Sequence, residues 1–162
     1  VDSQFVEHWN QMESILVGTL DRFETQYAKV MDGLDRLLAK DPPTRTDVLF
    51  FLSNFANNQL TQDYFYERLA HVSWLAPLKA KDAFKRVPDP QYFDDGSFRH
   101  PSWPCAGYLR RMAGINPAEV AVILSEVENT DNDVAKGQLV EIATDLPAEH
   151  RAVILDKLTQ WV

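Results

Sequence analysis

Cysteine, glycine and long apolar runs are scarce in this 162-residue chain. Cys105 is the only cysteine, so no disulfide can form within the chain. The six glycines build no glycine-rich phosphate loop, and neither Gly-x-Ser-x-Gly nor Ser-x-x-Lys occurs. No apolar run approaches the roughly 20 residues that a membrane-spanning helix needs. The sequence therefore disfavours a disulfide scaffold, a P-loop nucleotide site, these two kinds of serine nucleophile and a membrane span.

Familiar signals are also missing from the two ends of the chain. There is no initiator methionine, and no basic start followed by an apolar core marks a signal peptide. One helical pattern begins within a few residues of Val1, and another runs on to Val162. We therefore expect this chain to be a piece of a longer cytoplasmic protein.

Basic residues are outnumbered, with 16 lysines and arginines against 24 acidic residues and a net charge of −8. Because sequence-independent binding to nucleic acid needs concentrated positive charge, this balance disfavours it. The charge is uneven, however, since residues 79–111 hold seven basic and four acidic residues. Aromatic residues gather in and just before this stretch, and we expect partner contacts there because arginine and aromatic residues are enriched at interfaces. The candidate partner-binding residues are Lys79, Lys81, Lys85, Arg86, Tyr92, Phe93, Arg99, Trp103, Arg110 and Arg111.

A helix-start pattern occurs twice near the end of the chain. Pro117-Ala118-Glu119 precedes one Ala-Val-Ile-Leu run, and Pro147-Ala148-Glu149 precedes a second. Proline at the first helical position followed by an acidic residue is typical of a helix N-terminus. Recurrence after about one pair of helices is typical of stacked helical hairpins. The pattern predicts an all-α fold of the α-solenoid kind.

Residues 1–40 carry a helical stripe. Apolar residues from Phe5 to Leu37 recur at spacings of three and four, which become heptad-like from Leu20 onward. The pattern predicts one long helix or, with a break near Gly18, a helical hairpin, because each glycine weakens a helix by roughly 1 kcal/mol relative to alanine. We expect this segment to act as a connector or to form a homodimer.

Residues 46–162 are expected to form a series of short helices. Asp41-Pro42-Pro43 ends the first stripe because proline disfavours helical geometry. Thr46 and Thr61 are then expected to cap the next two helices through their hydroxyl groups. Further helices are expected to begin near Pro104, Asn116, Thr130 and Pro147, the last of them running to about Gln160.

An insertion at residues 85–104 interrupts the helices. It holds four prolines and the sequence Tyr92-Phe93-Asp94-Asp95-Gly96-Ser97-Phe98. Asp-Gly between aromatic flanks predicts a β-hairpin with a two-residue turn. An insertion of this length in a compact domain is usually functional or packed against itself, so we expect an ordered loop or a small hairpin.

A set of residues rich in aromatic residues and prolines lies between residues 46 and 160. Its members are Trp74, Leu75, Pro77, Leu78, Phe84, Pro88, Pro90, Trp103, Pro104, Tyr108, Leu109, Arg111, Pro117, Glu119, Val120, Thr130, Asp131 and Asn132. This set resembles the helical, HEAT-like segments of large bacterial multidomain proteins. The resemblance implies a stack of helical hairpins that adjoins NTPase or effector domains, including some in antiphage defence. It implies no activity for the segment itself.

Candidate reactive residues are few. The four histidines lie on separate predicted elements without a second ligand at metal-binding spacing. Asp94-Asp95-Gly96 lacks the downstream glutamate of a calcium loop. Cys105 follows His100 by five residues and is either a nucleophile near a helix N-terminus or a small buried apolar residue, and we expect the second. The sequence predicts no metal and no cofactor.

These observations favour a non-enzymatic helical-repeat region that serves protein interaction or regulation in a larger bacterial protein. The expected partners are other domains of the parent chain or another protein, not a membrane, and a homodimer through residues 1–40 stays open. The alternative is a sensor or nucleic-acid-contacting region of an antiphage defence effector that uses the stretch from Lys79 to Arg111. An enzyme that uses Cys105 and His100 is the least favoured hypothesis.

Overall fold

Helices account for most of the computed structural model, which describes residues 3–161 and the side chains of residue 8 and residues 11–161. The predicted all-α class is therefore confirmed. The α-helices are α1 (Ser3–Leu38), α2 (Arg45–Asn54), α3 (Gln59–Arg68), α4 (Leu75–Lys79), α5 (Ala106–Ala113), α6 (Pro117–Glu126), α7 (Asp133–Asp145), α8 (Ala148–Arg151) and α9 (Leu155–Trp161). Two short 3₁₀ helices cover Val72–Trp74 and Ala152–Ile154. None of the helices in the described range combines the length and the apolarity that crossing a membrane requires.

Residue contacts divide the chain into two units, Val1–Ala39 and Lys40–Val162. The first unit consists of α1, which runs through Gly18 without interruption. The alternative of a helical hairpin broken at Gly18 is therefore wrong. The cost of one glycine in a helix interior, roughly 1 kcal/mol, is too small to break a helix of this length.

The N-terminus of α2 is capped by Thr44, not by Thr46 as the sequence suggested. The Thr44 hydroxyl accepts a hydrogen bond from the Asp47 backbone amide (3.2 Å), and the Asp47 carboxylate accepts one from the Thr44 amide (2.8 Å). This reciprocal pair is a capping box. Thr44 is favoured over Thr46 because only Thr44 has an acidic residue three positions later.

The helix α3 likewise begins earlier than predicted. Asn58 is the cap, and its side-chain oxygen accepts hydrogen bonds from the amides of Leu60 and Thr61. Thr61 lies inside the helix, where its buried hydroxyl donates to the carbonyl of Phe55 at 2.6 Å. That hydroxyl therefore ties α3 to the end of α2 instead of capping α3.

An aromatic cluster forms the core of the second unit. The rings of Phe51 and Phe65 stack with centroids 4.0 Å apart, and Trp74 meets Phe65 edge-on at 5.2 Å. The cluster continues through Tyr66 to Tyr108, whose hydroxyl donates to the carbonyl of His71 at 2.9 Å. Aromatic pairs of this geometry each stabilise a core by about 0.5–1.5 kcal/mol beyond the burial of their surface.

Helices of the second unit contact each other in two alternating series. The helix α2 contacts α4, α4 contacts α6, and α6 contacts α8; in the other series α3 contacts α5, α5 contacts α7, and α7 contacts α9. The two copies of the helix-start pattern accordingly lie at the N-termini of two helices of the same series, α6 and α8, that contact each other.

The last predicted helix, from Pro147 to Gln160, is divided in the structure. The 3₁₀ segment Ala152–Ile154 separates α8 from α9. A 3₁₀ turn advances each residue by about 120° instead of 100°. Ile154 is fully buried, and its segment packs on α6, so tertiary contact with α6 favours the tighter turn.

The capping box of α2 predicts a pH-dependent stability. Hydrogen bonds from Thr44 hold the pKa of Asp47 below its ordinary value of 3.8. The carboxylate therefore stabilises the fold above that pH and loses the contribution as the pH falls through the lowered pKa. We expect Asp47→Asn to reduce the free energy of unfolding by about 0.5–1 kcal/mol at pH 7 and by almost nothing at pH 2, as measured by urea denaturation.

Asp63 on α3 provides a control for which the expected change in stability at pH 7 has the opposite sign. Burial and, secondarily, the charge of Glu67 raise the pKa of Asp63. Asp63→Asn should therefore stabilise the fold slightly at pH 7, and this gain should fade as the pH falls and the carboxyl takes up its proton. A loss of stability at pH 7 for both variants would contradict the inference that the Asp47 carboxylate stabilises the fold and the Asp63 carboxylate destabilises it.

Candidate interaction surface

A β-hairpin projects from the second unit at residues 91–99, and we call these residues the aromatic hairpin. Its strands β1 (Gln91–Tyr92) and β2 (Phe98–Arg99) are antiparallel and pair Tyr92 with Phe98. The predicted hairpin is present, but its loop has three residues, 94–96, instead of two. Gly96 has φ +81°, the left-handed conformation that a three-residue loop requires at one position. A two-residue turn would require this conformation at Asp95 as well, where the side chain makes it strained.

The aromatic hairpin exposes large apolar side chains to solvent. Tyr92 is 77% exposed, Phe98 65% and Phe93 51%. The rings of Tyr92 and Phe98 lie 6.5 Å apart, and Phe98 lies 5.4 Å from the imidazole of His100. Adjacent exposed aromatic side chains make this end of the hairpin a candidate interaction surface.

Asn132 fixes both sides of the insertion at residues 85–104, which carries the hairpin and which we call the arm. Its side chain is fully buried, and its amide nitrogen donates to the carbonyl of Pro88 (2.8 Å) on one side of the hairpin and to that of Pro101 (2.7 Å) on the other. Its amide oxygen accepts from the backbone amide of Ala135 (3.1 Å), which caps α7. One side chain thus joins the two ends of the arm to the start of a helix.

Further hydrogen bonds hold the arm against the same region. The backbone amide of Asp133 donates to Nδ1 of His100 (3.2 Å), and that of Trp103 donates to the side chain of Gln138 (2.7 Å). The backbone amide of Glu128 donates to the carbonyl of Lys85 (2.9 Å). The base of the hairpin is therefore fixed, and only its aromatic end is free to meet a partner.

Several of the predicted partner-binding residues are instead engaged within the fold. Lys79, Arg86 and Arg110 form ion pairs with carboxylates of α6, the segment that follows it, and α7. The pairs are Lys79 with Glu119 (3.2 Å) and Glu126 (3.7 Å), Arg86 with Glu128 (3.5 Å), and Arg110 with Glu141 (3.0 Å) and Asp145 (2.5 Å). These pairs offset much of the positive charge that the sequence concentrates in residues 79–111.

Arg111 and Trp103 also have internal roles. One guanidinium nitrogen of Arg111 donates to the carbonyls of Tyr66 (2.6 Å), Glu67 (3.1 Å) and Leu69 (3.1 Å) and so satisfies the C-terminal end of α3. Trp103 is only 3% exposed, and its indole donates to the carbonyl of Arg86 (3.1 Å). Both residues position the arm or the helices under it.

Five predicted residues are left at the surface without such an engagement. Lys81, Lys85 and Arg99 are exposed and form no ion pair with any side chain that the structure describes. Tyr92 and Phe93 belong to the aromatic hairpin. Sequence reasoning did not single out Phe98 as a contact residue, although its place across the Asp-Gly turn from Tyr92 was a usable signal.

A cleft of about 290 Å³ lies between the base of the arm and the first helices of the second unit. Leu52 and Tyr66 line it on the helix side, and Val87, Pro88 and Trp103 line it on the arm side. Its walls are mainly apolar, and it is at the small end of the range for ligand sites. The cleft is large enough to hold an apolar side chain.

The polar clusters of the second unit lack a nucleophilic arrangement. Cys105 is 2% exposed, and burial raises the pKa of its thiol well above the ordinary value. The hydroxyl of Ser73 donates to Asp41 (2.6 Å), and His71 also pairs with that carboxylate (3.1 Å), so the imidazole does not accept the serine proton. In the described part of the chain, no three potential metal ligands of His, Cys, Asp or Glu lie together.

Replacement of Asn132 should loosen the hairpin base. We expect Asn132→Ala to reduce the free energy of unfolding by about 3 kcal/mol, because it removes a helix cap and leaves two carbonyl groups without their donor. Asn116→Ala is the matched control, since Asn116 caps α6 through its Oδ1 atom alone, and should cost about 1 kcal/mol. Urea denaturation gives both values, and hydrogen exchange should quicken at residues 89–100 only in the first variant. Equal costs would contradict the anchoring role.

The thiol of Cys105 should be unreactive in the folded protein. We expect it to react with a chromogenic disulfide reagent at pH 8 at least about 100-fold more slowly than after unfolding in guanidinium, because the buried thiol stays protonated and out of reach. Cys105→Ser removes the signal and serves as the blank. Equal rates in the folded and unfolded protein would show an accessible thiol and revive the nucleophile hypothesis.

No family model matches this chain, and no match is found among curated proteins or among solved structures. The resemblance to HEAT-like segments therefore stays a prediction, and function has to be inferred from the geometry of the described residues.

Proposed function

We propose that this chain is a non-catalytic protein-interaction region and that the aromatic hairpin is its contact element. The observation that carries the proposal is an exposed aromatic patch on a base fixed by Asn132. A partner that covers Tyr92 and Phe98 removes apolar surface from water and does not have to order the backbone that presents it. Preorganisation of this kind favours binding.

The proposed architecture behind this surface is a HEAT-like stack of helical hairpins within a larger bacterial protein. The alternating contacts between helices two positions apart support it, because stacked hairpins place every second helix in the same layer. Contact between α6 and α8, which begin with the two copies of the helix-start pattern, supports it further. Regions of this kind serve as platforms for other domains of the same chain or for another protein.

The chemistry of the hairpin defines the partner. Aromatic rings offer large, rigid apolar area, and Arg99 beside them can pair with a carboxylate. The small cleft at the base of the arm accepts one apolar side chain. We therefore infer a protein partner with an exposed apolar side chain and an acidic residue near it.

A photo-crosslinking amino acid placed at position 98 tests this function. We expect a single predominant protein adduct from position 98 and none from position 60, where Leu60 lies on α3 and is also exposed, at 77% against 65% for Phe98. With that partner purified, Tyr92→Ser combined with Phe98→Ser should raise the Kd about 30-fold, because the double variant loses two aromatic contact side chains. The control Leu60→Ser should leave the Kd unchanged.

Two outcomes would overturn the proposal. Adducts from position 98 that match those from position 60 would show that the hairpin has no specific partner. A Kd that the double substitution does not change would show that the aromatic rings are not the contact, whatever protein is captured.

The second candidate is a nucleic-acid-contacting region of an antiphage defence effector. Exposed aromatic rings beside Arg99, with Lys81 and Lys85 unpaired within the described residues, also suit a single strand that stacks its bases. The net charge of −8 and the ion pairs of Lys79, Arg86 and Arg110 make this the weaker candidate. Binding of a single-stranded oligonucleotide that weakens with added salt and with Phe98→Ser would favour it over the protein partner.

A further inference from the structure

The helix α1 exposes a continuous apolar stripe on one side. Five large apolar side chains on this side are 53–66% exposed: Met12, Leu16, Leu20, Phe23 and Tyr27. Ile15 and Val17 are also exposed but lie to either side of the stripe. We propose that two copies of this chain pair along this stripe as a parallel, in-register coiled coil. The inference concerns the first unit alone and goes beyond the function proposed for the aromatic hairpin.

The spacing of the stripe fits pairing with another helix. Leu20, Phe23, Tyr27 and Val30 follow the three-and-four alternation of a heptad seam, and Met12 and Leu16 continue it after one extra step of four. A single four-residue step unwinds a coiled coil locally without ending it. The opposite side of α1 is polar and carries Ser14, Asp21, Thr25, Lys29 and Asp32, all exposed.

The exposed area is sufficient for a stable dimer. Five apolar side chains that are each more than half exposed present about 100 Å² apiece, so two copies would bury about 1,000 Å² together, which is about the minimum for a specific interface. The same patch would face itself across a twofold axis, as the interface of a symmetric homodimer requires. No second protein is needed to cover the stripe.

The charges that flank the stripe favour the parallel orientation. An antiparallel pair that covers the whole stripe places Met12 of one copy opposite Tyr27 of the other. In this arrangement Glu13 of each copy lies next to Glu24 of the other, which makes two contacts between like charges. In the parallel pair, Glu24 lies opposite Thr19 of the second copy instead. Flanking charges decide orientation in coiled coils, because like charges at these positions repel.

Light scattering of the full chain tests the pairing. We expect the mass of two chains at micromolar concentration, and we expect Leu20→Glu combined with Phe23→Glu to raise the dimer Kd by at least about 100-fold, so that the mass of one chain is found. The matched control is Ser14→Glu combined with Thr25→Glu, which adds the same charge to the polar side of α1 and should remain dimeric. Circular dichroism should show equal helix content in both variants.

Cysteine crosslinking tests the orientation. In a parallel, in-register pair every seam residue meets its own copy, so Leu16→Cys and Tyr27→Cys, each made alone, should both give a disulfide-linked dimer on mild oxidation. Buried Cys105 does not contribute to this signal. In an antiparallel pair a residue meets its own copy at only one level, so at most one of the two variants would crosslink.

The outcomes separate this inference from the proposed function. A wild-type chain that stays monomeric, a dimer that survives the Leu20 and Phe23 substitutions, or a mass of three or more chains would overturn the pairing. Crosslinking of only one cysteine variant would overturn the parallel orientation. None of these results depends on the aromatic hairpin, whose variants lie in the other unit.

Discussion

The buried amide of Asn132 is the interaction on which the presentation of the hairpin depends. It donates to Pro88 and Pro101 and accepts from Ala135, so the two ends of the arm and the N-terminus of α7 share one polar side chain. A buried amide is stable only when its hydrogen bonds are made. Because these partners lie on three separate segments, the side chain is satisfied only when the arm is closed on the helix.

The charged residues of the central stretch illustrate how a fold redirects a sequence signal. Residues 79–111 have a local excess of positive charge, yet Lys79, Arg86 and Arg110 pair with acids that come from the following, acidic part of the chain. The surface that remains for a partner is mainly aromatic and is concentrated at Tyr92 and Phe98. Charge along the sequence and charge on the surface are therefore different quantities in this protein.

Local features were largely predictable, and their exact partners were not. The all-α class, the cap at Asn116 and the existence of a hairpin follow from short-range rules of turn and cap chemistry. The cap of α7 is Asn132, two residues after Thr130, near which the sequence placed the start of this helix. The caps of α2 and α3 were placed at Thr46 and Thr61 instead of Thr44 and Asn58, because each segment offers more than one residue able to cap. The three-residue loop replaced the predicted two-residue turn, since only Gly96 tolerates the left-handed conformation without strain.

The sequence by itself determined that the chain is helical, where the aromatic insertion lies and that α1 carries an apolar stripe, because each depends on neighbours within a few residues. Only the tertiary structure decided that Asn132 would hold the arm and that Arg111 would end α3. Each of these contacts joins residues that are far apart in sequence. Their chemistry is visible in the sequence, but their distance from one another is set by how the helices pack.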